Sequence, residues 1–292
     1  MFGIKTRLLD AAAEYLICNG YGRKDTKRER RIDAEIQKNA SLMNSHIGER
    51  CFVLGNGPSL NSIDLELLRN ETVFTVNSFY KVTGADKVRT KYHFLLDSAY
   101  FDMRTDLRVN KEILRELFEN TSKICDEFFV PFAAKDYIKK NGFDKYLKFN
   151  YIYTDTPYLS SDCEEMDLLG AFPSFTTVVQ HAIAVAICMG FSEIYVAGID
   201  STLVLAMLND KITWNVFEGV HAYSSSTEDN NVREYATKNK TVDILFDQYI
   251  LFRGYSYLSD YCKRKGIKLY NCSDVSLVDS IEKMKFNDIF KL

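Results

Sequence analysis

From residue 50 onward, short apolar runs alternate with longer segments of helical periodicity. The first run, CFVLG at Cys51–Gly55, is apolar throughout and ends in glycine, which is typical of a buried strand entering a tight turn. Continuously apolar runs, rather than alternating ones, indicate strands covered on both faces of a sheet. Further runs of this kind predict strands at Thr72–Asn77, Tyr92–Asp97, Lys123–Pro131, Phe149–Thr154, Ser192–Asp200 and Ile267–Ser273.

The segments between these runs predict helices. FTTVVQHAIAVAICMG, at Phe175–Gly190, is apolar on nearly every side, and Gly190 is a typical residue to end a helix. Thr241–Lys265 is a second long helical segment, rich in aromatic residues, and a last helix is predicted from about Leu277 to the end. The alternation of strands and helices predicts an α/β, Rossmann-like fold, in which a mainly parallel sheet has helices on both faces.

Residues 1–49 follow a different pattern and are predicted to form an N-terminal helical extension, preceding a catalytic domain at 50–292. Ile4–Cys18 is amphipathic, and RKDTKRERR at Arg23–Arg31 holds six basic and two acidic residues. Residues 1–50 carry a net charge of +3, so the rest of the chain carries −6. Two interpretations stay open: contact of residues 1–31 with anionic lipid headgroups, or packing on the domain itself or on a second subunit.

Composition narrows the class of protein. The 292 residues are 46% hydrophobic and 26% charged, with a net charge of −3, as in ordinary globular proteins. The absence of a basic excess argues against a nucleic-acid partner. The 7 cysteines form no C-x-x-C pair and are predicted to be buried, reduced thiols. Since no apolar run is long enough to span a membrane and the start lacks a signal-peptide pattern, we predict a cytoplasmic protein.

Polar residues follow four of the predicted strands. GNGPSL at Gly55–Leu60 has two glycines that permit close backbone approach, and free N–H groups there would suit a phosphate or a ribose hydroxyl. It is neither a Walker A loop nor a dinucleotide-binding fingerprint. The other ends carry Asn77-Ser78, Asp97-Ser98 and AGID at Ala197–Asp200. Turns and helix caps use the same residue types, but ligands of open α/β sheets bind at the carboxyl ends of the strands, so we predict a nucleotide site there.

These motifs resemble those of the bacterial sialyltransferases of glycosyltransferase family 42. The shared blocks are GNGPSL, the second strand end VNSFY, and AVAICMGFSEIYVAGID, which together cover roughly residues 50–100 and 175–200. The GNGPSL opening is also similar to that of hydroxymethylpterin diphosphokinase-like domains. The sialyltransferase resemblance implies a metal-independent, inverting transferase that uses a CMP-activated sugar and a histidine base.

Carried over position by position, the resemblance implies a set of nucleotide-binding residues. They are Asn56, Gly57 and Ser59 around the phosphate and sugar, Asn77 near the nucleotide, Asp97 where the family has Asn, Thr177 at the helix start facing the donor, Gly198 and Ile199 at the cytosine through backbone groups, and Asp200 at the strand end. No metal site and no cofactor other than the CMP-sugar substrate is implied.

The catalytic base is sought among the four histidines. His93 lies inside a predicted strand, and His181 inside the apolar helix, where a core histidine is expected. His221 lies in the polar stretch EGVHAYSSSTEDNN, within a predicted lid at about 201–240, and could accept the acceptor's hydroxyl proton. A solvated loop histidine is the alternative. Ser201 follows Asp200 where the family has a phosphate-binding tyrosine, so Tyr223 is a candidate to replace it.

Three functions stay open from the sequence. The first is a glycosyltransferase that transfers sialic acid, a related nonulosonic acid or Kdo from CMP to a glycan or glycolipid acceptor, in lipopolysaccharide or capsule synthesis at the inner face of the membrane. The second is an ATP- and Mg²⁺-dependent pyrophosphokinase, in which Asp97 and Asp200, expected at adjacent strand ends, would hold the metal. The third is a non-catalytic nucleotide-binding domain.

Overall fold

The computed structural model describes residues 33–101, 111–153, 165–170, 172–205, 222, 234–235 and 237–291. Within these ranges eight strands form one sheet. They are β1 (Arg50–Leu54), β2 (Val73–Val76), β3 (Thr90–Phe94), β4 (Cys125–Pro131), β5 (Phe149–Ile152), β6 (Glu193–Ala197), β7 (Lys268–Asn271) and β8 (Glu282–Lys283). Their order is β5-β4-β3-β2-β1-β6-β7-β8, and every neighbouring pair is parallel. The predicted parallel α/β sheet is confirmed.

The sheet order contains one reversal of direction. The chain adds strands outward from β1 to β5, and then returns to place β6 on the other side of β1. Leu54 of β1 lies opposite Ala197 of β6, so both strands end at the same level. In such sheets the connections diverge at the reversal and leave a crevice at the carboxyl ends of the two central strands.

Helices cover both faces of the sheet, as predicted. They are α1 (Ala34–Gln37), α2 (Lys111–Thr121), α3 (Lys135–Asn141), α4 (Val178–Cys188) and α5 (Thr241–Lys265). Cys51 and Val53 of β1 pack in the cluster that contains α4 and α5. Phe52 and Leu54 point to the opposite face, since side chains alternate along a strand. On that opposite face, further along the sheet, α2 and α3 cover β3, β4 and β5.

The described part of the N-terminal extension packs on the sheet. Ile36 is buried with the β3–β5 cluster. The side-chain amide of Asn39 donates to Tyr151 O at 2.7 Å and to Leu168 O at 3.0 Å. His46 stacks on Phe191 with ring centroids 4.5 Å apart. Residues 33–49 therefore belong to the packed body, while 1–32 lie outside the described residues.

The predicted C-terminal helix from Leu277 is wrong. The chain instead forms the short strand β8 and a 3₁₀ helix at Phe286–Phe290. Backbone groups just after β7 bond to other segments: Leu277 N donates to Asp200 O at 2.9 Å, and Asn271 Nδ2 donates to Val278 O at 3.1 Å. Because these bonds engage the N–H and C=O groups that a helix would pair internally, the segment runs across the end of the sheet.

Two expectations drawn from composition can be examined in the described residues. The cysteines among them are free and buried: Cys51, Cys125, Cys188, Cys262 and Cys272. Cys18 and Cys163 lie outside the described part of the chain. In the described ranges, no helix has both the length and the apolar character needed to cross a bilayer.

Candidate functional site at the carboxyl edge of the sheet

The turn after β1 passes very close to the end of β6. Gly55 N donates to Ala197 O at 2.8 Å, and Gly57 N donates to Gly198 O at 2.9 Å. A Cβ atom on Gly57 would lie 2.8 Å from Gly198 O and 2.5 Å from Asp200 Oδ1. Gly198 has φ +69°, in the left-handed region that favours glycine. The glycines of the turn therefore allow two backbones to cross, rather than opening space for a ligand at Gly57.

Ser59 is bonded twice to the carboxylate of Asp200. The backbone N–H of Ser59 donates to Asp200 Oδ2 at 2.8 Å, and its hydroxyl donates to Asp200 Oδ1. Asp200 is 4% exposed, and burial raises the pKa of its carboxyl above the ordinary value, although the bonds from Ser59 and the charge of Lys283 act in the opposite direction. The prediction of free N–H groups is thus wrong at Gly57 and Ser59. The segment that follows is a 3₁₀ helix of 5 residues, Pro58–Ser62.

Two buried carboxamide oxygens lie at the neighbouring ends of β1 and β2. Asn56 Nδ2 donates to Val76 O at 3.1 Å, which fixes the side chain, while Asn56 Oδ1 is buried with no hydrogen-bond partner. Asn77 has φ +49°, its N–H donates to Phe94 O at 3.0 Å, and its Oδ1 is also buried without a partner. An unsatisfied buried acceptor costs about 1–3 kcal/mol. Both oxygens could accept hydrogen bonds from a ligand that carries hydroxyl or amine donors.

The start of α4 lies close to the turn after β1, since a Cβ atom on Gly55 would lie 3.4 Å from Val179 Cγ2. Thr177 is its N-cap, with a reciprocal capping box to Gln180, so the predicted helix start is confirmed. Tyr255 of α5 is 2% exposed, and its hydroxyl bonds to the side chains of Thr177 and Ser201. Burial raises the pKa of Tyr255 to about 12, so the phenol stays neutral. Tyr255 thus ties the helix start to the turn after β6.

The backbone groups after β6 are largely bonded inside the protein. Ile199 N donates to Ser273 Oγ at 3.0 Å, and Ser276 Oγ donates to Ile199 O at 2.6 Å. Gly198 O already accepts from Gly57 N. The resemblance implied that Gly198 and Ile199 contact the cytosine through backbone groups. Their carbonyl oxygens each keep a lone pair for such a contact, but the Ile199 N–H is already bonded.

Asp97 and Asp200 do not lie at adjacent strand ends. Asp97 follows β3 and Asp200 follows β6, and the order of the sheet places β2 and β1 between them. Three strand spacings separate the two strands, roughly 14 Å. The predicted metal-holding pair is therefore wrong. In the residues that the structure describes, no group of three or more His, Cys, Asp and Glu side chains is arranged to hold a metal ion.

The two described histidines of the domain interior are structural. Phe175 N donates to His181 Nε2 at 3.2 Å, and His181 Nδ1 lies 2.9 Å from Thr177 O, which requires a neutral ring with the proton on Nδ1. Burial lowers the pKa of His181 to about 4. His93 is 0% exposed, lies 2.8 Å from the hydroxyl of Thr75, and has its pKa lowered by burial to about 3. The prediction of a core histidine at 181 is confirmed.

The predicted base His221 and the phosphate candidate Tyr223 lie outside the described residues. Ala222, the residue between them in the sequence, is described and is 8% exposed. Its N–H donates to Asn56 O at 2.7 Å. This contact places residue 222, within the predicted lid range, against the turn after β1.

Lys283 is a residue of this edge that the sequence did not single out. It belongs to β8, and its Nζ donates to Ser273 O at 3.4 Å, beside the residues that follow β6 and β7. The segment was predicted to be helical, so Lys283 was not placed on a strand of the sheet. No motif marks this lysine in the sequence, because it follows a polar stretch in which lysine is common.

Residues 30–204 match the family described as 6-hydroxymethylpterin diphosphokinase MptE-like. The chain belongs to the MptE-like family. The matched range contains β1 to β6 and the crossing of Gly57 with Gly198, and it stops just after Asp200. The resemblance of the GNGPSL opening to hydroxymethylpterin diphosphokinase-like domains is thereby confirmed. The rest of this MptE-like chain, with α5, β7 and β8, lies beyond the matched range.

A solved structure similar to this MptE-like protein is that of the sialyltransferase CstII from Campylobacter jejuni, in complex with a substrate analogue, cytidine-5′-monophosphate. The two share 19% sequence identity with a TM-score of 0.44, over 82% of this chain and 86% of that chain. At this identity the likeness concerns the fold alone. No match was found among curated proteins.

Proposed function

We propose that the protein is a glycosyltransferase that binds a CMP-activated sugar at the carboxyl ends of β1, β2 and β6. The observation that carries the proposal is the pair of buried, unpartnered carboxamide oxygens of Asn56 and Asn77. Both belong to neighbouring strands at the point where the sheet order reverses, which is where ligands of such sheets bind. Their chemistry calls for a ligand rich in donors.

A cytidine nucleotide supplies suitable donors. The ribose has two free hydroxyl groups, and cytosine has an exocyclic amine, whereas a phosphate has mainly acceptors at neutral pH. Asn56 Oδ1 and Asn77 Oδ1 would accept from the ribose or from the base, and this pairing would remove the energetic cost of two unsatisfied buried acceptors. The sugar donors in view are CMP-sialic acid, a related CMP-nonulosonic acid and CMP-Kdo.

The reaction that we propose is a single displacement with inversion. An acceptor hydroxyl attacks the anomeric carbon while the bond from that carbon to the CMP phosphate oxygen breaks, so CMP leaves with the electron pair. His221 would take the hydroxyl proton. The bond from Ala222 N to Asn56 O supports the proximity of this part of the chain to the nucleotide-binding turn.

A diphosphokinase is the second candidate, and the family match supports it. Transfer of a diphosphate from ATP normally uses Mg²⁺ held by carboxylates against the phosphates. Asp97 and Asp200 stand on strands that are separated by two others, and the Asp200 oxygens already accept from Ser59. The described carboxylates therefore fit such a metal poorly, and for this reason we favour the CMP-sugar transferase.

The proposed function also implies a class of acceptor and a place where the protein would meet it. A glycan or glycolipid acceptor of a bacterial surface polymer, such as lipopolysaccharide or capsule, would be met in the cytoplasm at the inner face of the membrane. The basic segment Arg23–Arg31 and the amphipathic segment Ile4–Cys18 would provide contact with that surface. A homo-oligomer through the same segments is the competing role.

A ligand panel with an unfolding readout tests the function. The unfolding midpoint is measured with CMP, CDP and ATP, each with and without Mg²⁺, because a ligand at 100 times its Kd stabilises by about 2.7 kcal/mol. We expect CMP to raise the midpoint without Mg²⁺. A rise with ATP and Mg²⁺ alone would favour the diphosphokinase, and no response to any nucleotide would favour a non-catalytic domain. Slow hydrolysis of CMP-sialic acid or CMP-Kdo would then identify the donor.

A further inference from the structure

Lys283 brings a positive charge to the carboxyl edge of the sheet. Its Nζ donates to Ser273 O at 3.4 Å, while Ser273 Oγ accepts from Ile199 N at 3.0 Å. Ser273 therefore links the ammonium group to the residue next to Asp200. Asp200 in turn holds Ser59, the residue of the GNGPSL turn that the sequence assigned to the phosphate.

The ammonium group of Lys283 makes no ion pair with any described residue. By contrast, two cations at the amino ends of neighbouring strands are paired: Arg50 lies 2.5 Å from Glu71, and Lys268 lies 2.7 Å from Glu193. Lys283 is exposed, although desolvation of its ammonium group lowers the pKa of that group against the opposing effect of the Asp200 and Asp274 carboxylates. One long hydrogen bond, to Ser273 O, places the ammonium group at this edge.

A cation at this edge would favour the binding of a phosphate, because Ser59 N–H and Gly57 N–H are already bonded within the protein. Ser59 and Asp200, which are bonded to each other, lie between Lys283 and the neutral carboxamides of Asn56 and Asn77, which follow β1 and β2, three and four strands from β8. A nucleotide monophosphate carries about −1.5 to −2 charges at pH 7. It would be repelled by Asp200 unless a positive charge lay close to both, and lysine binds phosphate as a compact point charge.

We propose that Lys283 binds the phosphate group of the nucleotide ligand, in the role that the sequence assigned to Tyr223. The inference rests on the proposed nucleotide-binding function and adds the cation that recognises the phosphate. Lys283 moves from Ser273 O to the phosphate, and its charge offsets that of Asp200 at the same time. The phosphate is then bound without a metal ion, by a residue beyond the range that matches the family.

Binding of CMP and of cytidine, measured by titration calorimetry on the full chain, tests the inference. CMP and cytidine share base and ribose and differ in the phosphate alone. For Lys283→Gln we expect CMP to bind roughly ten- to a hundredfold more weakly, as for a lost charge-assisted bond, with the affinity for cytidine unchanged. Lys283→Arg keeps the charge and should retain most of the CMP affinity. Lys268→Gln, at the amino end of β7 and therefore away from the site, should behave as the unaltered protein.

The outcomes separate the inference from the function on which it rests. Equal CMP affinity of Lys283→Gln and the unaltered protein would overturn the inference and leave the proposed function intact. Equal weakening of CMP and cytidine would also overturn it, since the residue would then act on the base, the ribose or the fold. If the unaltered protein binds no CMP, both fail. A salt titration of the unaltered protein adds a check without substitution: rising salt should weaken CMP much more than cytidine.

Discussion

The carboxylate of Asp200 accepts hydrogen bonds from both the backbone N–H and the hydroxyl of Ser59. These two hydrogen bonds hold the turn after β1 against the end of β6, where the two backbones cross. Because Asp200 occupies the donors of Ser59, we expect the proposed nucleotide to find its partners beside the crossing, at Asn56, Asn77 and Lys283. In that case the glycines and Ser59 would shape the site without contacting the ligand through free N–H groups.

Substitution of Gly57 by alanine is expected to destabilise the protein. A Cβ at this position meets Gly198 O, a backbone atom, at 2.8 Å, so the two strand ends must separate. We expect a loss of about 1–3 kcal/mol in the free energy of unfolding, as for overpacked interiors. Gly48→Ala is the control, because Gly48 has φ +80° but no neighbour within 4 Å, so it reports backbone strain alone. Since Gly57 itself has φ −66°, an alanine there adds no such strain, and a loss close to zero in urea unfolding of Gly57→Ala would show that the crossing tolerates a side chain.

Asn77→Gly should separate ligand binding from stability. Glycine adopts the positive φ of Asn77 more readily than asparagine does, so the unfolding midpoint should not fall. Loss of the carboxamide oxygen should weaken CMP by roughly tenfold, the upper range for one hydrogen bond. Asn44→Gly is a matched control, since Asn44 also has positive φ, +56°, and lies outside the site. Unchanged CMP affinity in Asn77→Gly would remove Asn77 from the site.

His221→Ala should abolish most of the transfer while preserving CMP binding. A general base contributes about 10²–10⁴-fold to a rate, and the nucleotide is expected to be held by other residues. The measurement is the initial transfer rate at saturating donor, alongside the CMP affinity. His181→Ala serves as comparison and should lose stability, because His181 is buried and bonded at both ring nitrogens, with near-normal turnover per folded molecule. Near-normal turnover in His221→Ala would require another base.

Stability should fall on acidification from pH 6.5. The folded-state pKa values of His181 and His93 are about 4 and about 3, below the ordinary 6.5, so the unfolded chain binds more protons in this window. Each histidine then lowers the free energy of unfolding by up to about 1.4 kcal/mol per pH unit as the pH falls. Urea unfolding between pH 6.5 and pH 5 measures the slope. His181→Gln should reduce this slope by the contribution of one proton, and an unchanged slope would contradict the neutral state of buried His181.

The N-terminal segment is expected to bind membranes that carry anionic lipid. The full chain should associate with phosphatidylserine vesicles in a manner weakened by salt, and a chain shortened to begin at Asp33 should not. The chain is shortened to Asp33 rather than to the predicted domain boundary at residue 50, because Ile36 and Asn39 are buried in the packed body. Equal vesicle binding by the two chains would instead assign residues 1–32 to packing or oligomerisation.

The sequence predicted the strands of the sheet centre well, because each is a continuous apolar run followed by a glycine or a polar turn. The helix prediction failed at Leu277. The composition there is compatible with a helix, but Leu277 N donates to Asp200 O and Ser276 Oγ donates to Ile199 O. Such long-range bonds leave no periodic signal. The bond between Ser59 and Asp200 could not be predicted either. Both residues were identified as polar residues after strands, but their pairing depends on how the turn after β1 crosses the end of β6.

Ser59 and Asp200 are 141 positions apart, and the bond between them therefore has a consequence for biosynthesis. Strands β2 to β5 can pair while the second half of the chain is still being made, but β1 has no partner on its other side until β6 leaves the ribosome. Contacts of such separation form late because the loop between them must first be closed. A nascent chain that ends before Glu193 thus has a sheet whose central strand β1 has one unpaired edge, and such an edge is a template for pairing with another chain.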